Sequence, residues 1–163
     1  MKFLKNRKGF TTFSSHERGF TLIELLVVIG ILAVLLAVTY IAINPARQSA
    51  QANDAKRRND VNEILNAVNK YMVDNNGDVP LGITTTSQNI KTGGADICSA
   101  LVSLYIASLP SDPKENSGSA IKDCAVAGGY DTGYMIVQSA TNNRITVNAP
   151  NAEIAGTVIS VTR

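Results

Sequence analysis

The sequence predicts an α+β fold, in which one long N-terminal helix packs on a small antiparallel sheet. Three observations support this prediction. Residues 20–43 form an uninterrupted apolar segment, apolar residues then recur at helical spacing from Val61 to Met72, and three segments rich in β-branched residues follow near the C-terminus. The 163 residues suffice for one small domain and are too few for two independent cores. We therefore divide the chain into residues 1–19, 20–43, 44–76 and 77–163.

The net positive charge of the chain comes from residues 1–19. They contain five basic residues and one acidic residue, whereas the whole chain has a formal net charge of +2. The rest is slightly acidic, which argues against nonspecific nucleic-acid binding as its main activity, because such binding depends on clustered Lys and Arg. The one histidine, His16, also lies here. Because histidine is the side chain most used in acid–base catalysis and zinc binding, we expect no enzyme activity, cofactor or metal.

The apolar segment, residues 20–43, is expected to cross a membrane. It contains one charged residue, Glu24, and no proline. As an α-helix it is roughly 36 Å long, which exceeds the ~30 Å hydrocarbon core of a bilayer. A cleaved secretory signal has a shorter apolar region of about 7–15 residues, followed by a small-residue cleavage site. We therefore predict a retained span. Basic residues before a first span usually dominate its orientation, so the N-terminus is placed in the cytoplasm.

The second half of the long helix, residues 44–76, is predicted to be amphipathic. Its apolar residues fall on one helical face: Val61, Ile64, Leu65, Val68, Tyr71 and Met72. From Ala46 onward no residue breaks the pattern before Asn75, so one helix from Phe20 to Asn75 is expected. Pro45 lacks an N–H and its ring crowds the preceding turn. We therefore expect a kink or local unwinding at residues 41–45.

The remaining residues, 77–163, are rich in Gly, Ser, Thr and Asn and predict a small head of loops and short elements. Apolar spacing predicts a second helix in residues 96–107, ended by Pro110 and Pro113. Three strands are predicted, with a hairpin loop between the first two at residues 140–143. The predicted strands are residues 134–139, 144–148 and 157–162.

The head contains both cysteines of the chain, Cys98 and Cys124. They lack the C-x-x-C spacing of a redox pair and have too few companions for a zinc site. We interpret them as a structural disulfide formed in an oxidising compartment. Two unrelated buried thiols are the alternative.

The segment ERGFTLIELLVVIGILAVL, which begins at Glu17, resembles the N-terminal signature of type IV pilins and pseudopilins. In this signature a basic leader ends at a glycine, here Gly19. An aromatic residue, Phe20, is the first of the mature chain, and an acid, Glu24, is its fifth. The similarity continues more loosely to about residue 80, and the C-terminal half is similar mainly in layout.

The resemblance implies that a prepilin peptidase cuts between Gly19 and Phe20 and that the new Phe20 amine is methylated. A second Gly-Phe pair, at residues 9–10, leads into polar residues and is therefore not favoured. The resemblance also implies assembly roles for Phe20, Glu24, Gly30 and Pro45. In a filament Glu24 would pair with the Phe20 ammonium of a neighbouring subunit. The alternatives are a Glu24 carboxyl that reaches water at the membrane interface and ordinary small-residue packing at Gly30.

The function implied is that of a structural subunit of a type IV pilus or pilus-like filament. Its expected partners are other pilin subunits, prepilin peptidase, an inner-membrane assembly platform with its ATPase, and the lipid membrane before assembly. It would be a single-pass membrane protein first and an extracellular pilus afterwards. One alternative is a pseudopilin of a type II secretion or competence system, in the cell envelope. A membrane-anchored binding domain that never polymerises is less favoured, because a plain anchor needs none of Gly19, Phe20 and Glu24.

A basic cluster in the amphipathic half, residues 56–58, is a candidate contact for DNA or anionic lipid head groups. We favour another interpretation, in which the cluster forms a solvated helix face paired with Asp54, Asp60 and neighbouring subunits. A nucleic-acid partner stays open.

Three aspartates in the loop-rich region are a candidate Ca²⁺ site. Carboxylate oxygens are the ligands that Ca²⁺ prefers, but the three lack the spacing of an EF-hand loop. We therefore expect no metal site at Asp112, Asp123 and Asp131.

Overall fold

The computed structural model describes residues 19–163, in two compact units that meet between Ile43 and Asn44. Residues 1–18 of the leader, with His16 and the Gly-Phe pair at residues 9–10, lie outside the described residues. The first unit contains helix α1 (Leu22–Ile43). The second contains helices α2 (Pro45–Asp74) and α3 (Cys98–Leu101), a short 3-10 turn (Asn116–Gly118), and strands β1 (Gln88–Lys91), β2 (Asp131–Gln138), β3 (Ile145–Ala149) and β4 (Ile159–Thr162).

The long helix is interrupted at one residue, Asn44. Its backbone is left-handed, with φ 45°, and its side-chain Oδ1 accepts a hydrogen bond from Arg47 N at 3.2 Å. Pro45 is the first residue of α2, a position where its missing N–H costs nothing because that group has no partner within the helix. The interruption therefore lies inside residues 41–45, where unwinding is predicted, and Asn44 caps a new helix.

Helix α2 packs on the sheet through the predicted apolar face. Tyr71 and Met72 at its end are partly buried. The fully buried side chains of this face are Val61, Ile64, Leu65 and Val68. They face β3 and β4, and the sheet contributes another part of the core: Ile90, Tyr134, Ile136, Ile145, Val147 and Ile159. The α+β class is confirmed.

The sheet is antiparallel throughout, in the order β1-β2-β3-β4. Three strands match the predicted segments within a few residues, with Met135 opposite Asn148 and Val147 opposite Val161. The first strand, β1, is not predicted. It is four residues long with only Ile90 buried, so it shows too little alternation to be recognised. Its position is fixed by β2, for example by Thr132 Oγ1, which donates to Ile90 O at 2.9 Å.

The predicted helix at residues 96–107 is wrong in extent, because α3 ends at Leu101. The carbonyl of Leu101 accepts hydrogen bonds from Tyr105 N (3.0 Å) and Ile106 N (3.2 Å), which closes a tight loop. Ser103 in this loop has φ 79°, outside the helical region. Leu104 points outward and Ile106 is buried, so the apolar spacing here reflects a loop and not a helix face.

A disulfide joins Cys98 to Cys124, with their Cα atoms 5.5 Å apart. Cys98 is fully buried at the start of α3, and Cys124 is half-buried in the segment before β2. On the chain-entropy account, closing a loop of this size contributes about 3.5 kcal/mol to folding. The disulfide therefore ties a segment with little regular structure to the core.

Candidate processing and assembly site

The residues directly before α1, 19–21, are exposed and belong to no helix or strand. Gly19 and Phe20 precede the helix, and the Phe20 side chain is 89% exposed. A Cβ atom placed on Gly19 would meet no atom within 4 Å. Packing within the described chain therefore does not require a glycine there. A peptidase whose active site admits no side chain at the cleavage position would require a glycine there.

Helix α1 begins with a capping box formed by Thr21 and Glu24. Glu24 N donates to Thr21 Oγ1 at 3.2 Å. In return, Thr21 N (3.1 Å) and Thr21 Oγ1 (2.9 Å) both donate to Glu24 Oε2. This arrangement satisfies backbone donors that the first turn of a helix leaves free. The capping box is not among the features predicted from the sequence, although T-x-x-E before an apolar run is its usual signal.

The capping box occupies only one of the two carboxylate oxygens of Glu24. Within residues 19–163, Oε1 of Glu24 takes part in no described hydrogen bond or ion pair. The carboxylate is exposed at the N-terminal end of an apolar helix. It therefore retains one oxygen for a second partner.

The surface of α1 is apolar on all sides and uncovered. Residues Leu22–Ile41 have a mean hydropathy of 2.9, and none of this stretch is buried. Among the described residues it is the one helix that is both long enough and apolar enough to cross a membrane. At Gly30 the surface forms a shallow apolar notch, lined by Leu26, Val27, Ile31, Val34 and Leu35. So large an exposed apolar surface indicates contact with lipid or with other protein.

Arg57 of α2 is buried, so the interpretation of residues 56–58 as a solvated face is wrong for this residue. Its guanidinium makes a two-point contact with Asp112, from Nε to Oδ2 (2.7 Å) and from Nη2 to Oδ1 (2.9 Å). Its Nη1 also donates to Asp54 (2.9 Å) and Glu153 (3.0 Å). Its neighbours behave as expected, since Lys56 pairs with Asp60 and Arg58 is exposed.

The ionic network of Arg57 with Asp54, Asp112 and Glu153, called the Arg57 network, holds two loops against α2. One is the loop of Asp112, and the other is the β3–β4 connection, where Glu153 N (2.9 Å) and Ile154 N (3.0 Å) donate to the Asp54 carboxylate. Hydrogen bonds that Arg57 donates to the Asp112 carboxylate, acting against burial, raise the pKa of Arg57 above its ordinary value, so Arg57 stays charged. Ionic contacts therefore hold these two loops to α2, whereas the core of the second unit is apolar.

The structure does not bring the three candidate calcium ligands together. Asp112 is bound to Arg57, Asp123 accepts from Ala125 N at 2.9 Å, and Asp131 accepts from Gly133 N at 2.9 Å. Across residues 19–163, no group of three or more His, Cys, Asp or Glu side chains is placed to hold a metal ion.

The head is expected to lose stability in acid through Asp54 and Glu153. Burial opposes ionisation of Asp54, but hydrogen bonds from Glu153 N, Ile154 N and Arg57 outweigh burial and lower the pKa of Asp54. Hydrogen bonds from Asn53 and Arg57 lower the pKa of Glu153. Because the pKa of each carboxyl is lower in the folded state, the two groups stabilise the fold at a pH above their ordinary pKa values of 3.8 and 4.5. This stability is lost as the pH falls through their pKa values in the folded state.

Thermal melts of the purified chain in detergent, followed by circular dichroism from neutral pH to below 3.8, test this expectation. The Asp54→Asn variant is the control. It should be less stable at neutral pH and lose less stability on acidification. A melting temperature that stays constant across this range contradicts the assignment.

Comparison with known protein families matches residues 14–40 to the prokaryotic N-terminal methylation motif. The chain is thus an α+β protein whose uncovered apolar N-terminal helix carries this motif. The motif is the type IV pilin and pseudopilin signature, and it supports a pilin-like or pseudopilin protein that is processed by prepilin peptidase. It indicates a structural protein, and it fits membrane anchoring before assembly. Comparisons with curated proteins and with solved structures gave no match.

Proposed function

We propose that this chain is the structural subunit of a type IV pilus or pilus-like filament. Prepilin peptidase removes residues 1–19, the Phe20 amine is methylated, and the subunits polymerise through α1. The observation that carries the proposal is the methylation motif at residues 14–40, placed directly on a helix whose apolar surface is wholly uncovered.

The apolar surface of α1 explains both a membrane stage and a polymer stage. Exposed to water, such a surface costs roughly 25 cal/mol per Å². Lipid covers it after insertion, and the α1 helices of neighbouring subunits cover it in a filament core. The notch at Gly30 lets a neighbouring helix approach more closely than a larger residue would allow.

Glu24 supports polymerisation in register. A carboxylate in apolar surroundings is costly unless it is paired. Its Oε2 is occupied by Thr21, which leaves Oε1 to accept from the Phe20 ammonium of a neighbouring subunit. Such a contact forms only when two copies are aligned. The Glu24 carboxylate, which is unfavourable in lipid, would therefore favour one register of subunit packing in the filament.

The partners proposed are other copies of the chain, prepilin peptidase, an inner-membrane assembly platform and its ATPase. The location proposed is the plasma membrane before assembly and the cell exterior afterwards. A pseudopilin of a secretion or competence system is the second candidate, because both families share the methylation motif. Electron microscopy of sheared surface material, probed for this chain, separates long surface filaments from short ones retained in the envelope.

The Gly19→Glu variant tests processing. Charge and bulk next to the cut should block the peptidase, so the expected product is a full-length, membrane-retained chain that forms no filaments. Mass spectrometry should find the wild-type mature chain starting at Phe20 with one added methyl group. Gly9→Glu, at the other Gly-Phe pair, is the matched control and should be processed normally. A different mature start, or filaments from Gly19→Glu, contradicts the proposal.

A further inference from the structure

Residues 122–129 form a loop between Ile121 and Tyr130, which we call the arch. None of its residues is buried, although Cys124 is partly buried against the core. The described hydrogen bonds inside the arch join residues only two or three positions apart. Within residues 19–163, no described hydrogen bond or ion pair joins the arch to another segment, so the disulfide to Cys98 is its one described cross-link to the rest of the head.

Both ends of the arch are anchored independently of the disulfide. At one end, Ile121 and Leu109 exchange two backbone hydrogen bonds, each of 2.8 Å. At the other end, Tyr130 O accepts from Thr92 N at 3.0 Å, and Tyr130 N donates to Thr92 Oγ1 at 3.0 Å. The Tyr130 hydroxyl also donates to Asp96 Oδ1 at 2.8 Å. Opening the disulfide therefore leaves both ends of the arch attached.

The apolar core does not depend on the arch. Its buried members come from α2, α3, the four strands and other loops, and none comes from residues 122–129. Cys98 is the part of the disulfide that lies in the core, and a buried free thiol packs much like a small apolar side chain. Breaking the disulfide therefore releases the arch and leaves the packing of the core in place.

The two sulfurs of the disulfide differ in their accessibility. Cys98 is fully buried, whereas Cys124 is partly exposed and lies between two exposed residues. Thiol–disulfide exchange begins with attack of a thiolate on one sulfur, and access helps to decide which sulfur reacts. External thiols therefore meet Cys124, and Cys98 is the leaving group.

We propose that the arch is a redox-sensitive flap, which an external thiol opens at Cys124 while the rest of the head stays folded. A first thiolate bonds to Cys124 Sγ, the bond to Cys98 Sγ breaks, and the electron pair stays on Cys98. A second thiolate attacks the sulfur of the first, which releases Cys124 as a thiolate and gives the small-molecule disulfide. The two thiols are oxidised, the disulfide of the chain is reduced, and the two protons of the thiols end on Cys98 and Cys124. The inference does not depend on polymerisation through α1.

Limited trypsin digestion of the processed chain in detergent tests the flap. Lys122 lies in the arch and Arg144 lies in the turn before β3, and both residues are exposed. Cleavage of a folded protein follows the population of the locally open segment. Reduction with dithiothreitol should therefore speed the cut after Lys122 at least about tenfold. The cut after Arg144, which is the matched control, should keep its rate.

A brief exposure to glutathione identifies the sulfur that is attacked. The remaining thiols are blocked with N-ethylmaleimide, and mass spectrometry should find glutathione on Cys124 and maleimide on Cys98. The double variant Cys98→Ser, Cys124→Ser opens the arch without any thiol. It should show the fast cut after Lys122 and keep one cooperative thermal transition by circular dichroism.

Glutathione found mainly on Cys98 overturns the inference, and so does a cut after Lys122 whose rate is unchanged by reduction. Equal acceleration after Lys122 and Arg144 also overturns it, as does a double variant without a cooperative transition, since both results mean that the whole head unfolds with its disulfide. Every readout uses unassembled chain, so these failures leave the proposed function standing. A lack of filaments, in turn, leaves the flap standing.

Discussion

Glu24→Gln should insert and be processed like the wild type, yet form few filaments. Glutamine at this position can still accept the two hydrogen bonds from Thr21, so the capping box is kept. What it loses is the charge that would pair with the Phe20 ammonium of a neighbouring subunit. Filament yield from sheared cells, measured against processed subunit in the membrane, is the readout.

Thr21→Ala separates capping from pairing. It removes the side-chain oxygen that caps α1, at a cost of about 0.5–2 kcal/mol in helix stability, and keeps the Glu24 carboxylate. We expect this variant to assemble, and Glu24→Leu, which loses both functions, to fail like Glu24→Gln. The reverse result, with normal filaments from Glu24→Gln and none from Thr21→Ala, would show that Glu24 acts only as a helix cap.

Arg57→Met is expected to destabilise the head by about 3–5 kcal/mol. It leaves Asp112 and Asp54 buried without their cation, and removing one partner of a buried ion pair costs more than the pair contributes. Arg57→Lys should be intermediate, because an ammonium cannot make the two-point contact with Asp112. Chemical unfolding in detergent, followed by circular dichroism, measures the differences.

Arg58→Met is the matched control for Arg57→Met. Arg58 is the adjacent residue of α2 and is exposed, so its loss should change stability by less than about 0.5 kcal/mol. The double variant Arg57→Met, Asp112→Leu should recover part of the loss, because it removes one of the stranded carboxylates. Equal stability of Arg57→Met and Arg58→Met contradicts the role given to the network.

The features near the N-terminus could be predicted from sequence because short-range patterns determine them. Continuous apolarity specifies α1, and the order of Gly19, Phe20 and Glu24 is a pattern along the chain that needs no fold to be recognised. Pro45 marked the helix break for the same reason, since its effect acts on the preceding turn. The amphipathic face of α2 and the alternation in three strands are also local signals.

Tertiary structure decided the features that depend on distant partners. Arg57 and Asp112 are 55 positions apart in the sequence. Nothing in the basic run at residues 56–58 indicates which of its side chains will be buried in an ion pair with a distant carboxylate. Strand β1 exists because β2 supplies its hydrogen bonds, and α3 stops where the Leu101 carbonyl closes a loop. Sequence determined the elements with their own periodicity; the fold determined burial and pairing, because both are set by contacts between segments far apart in the chain.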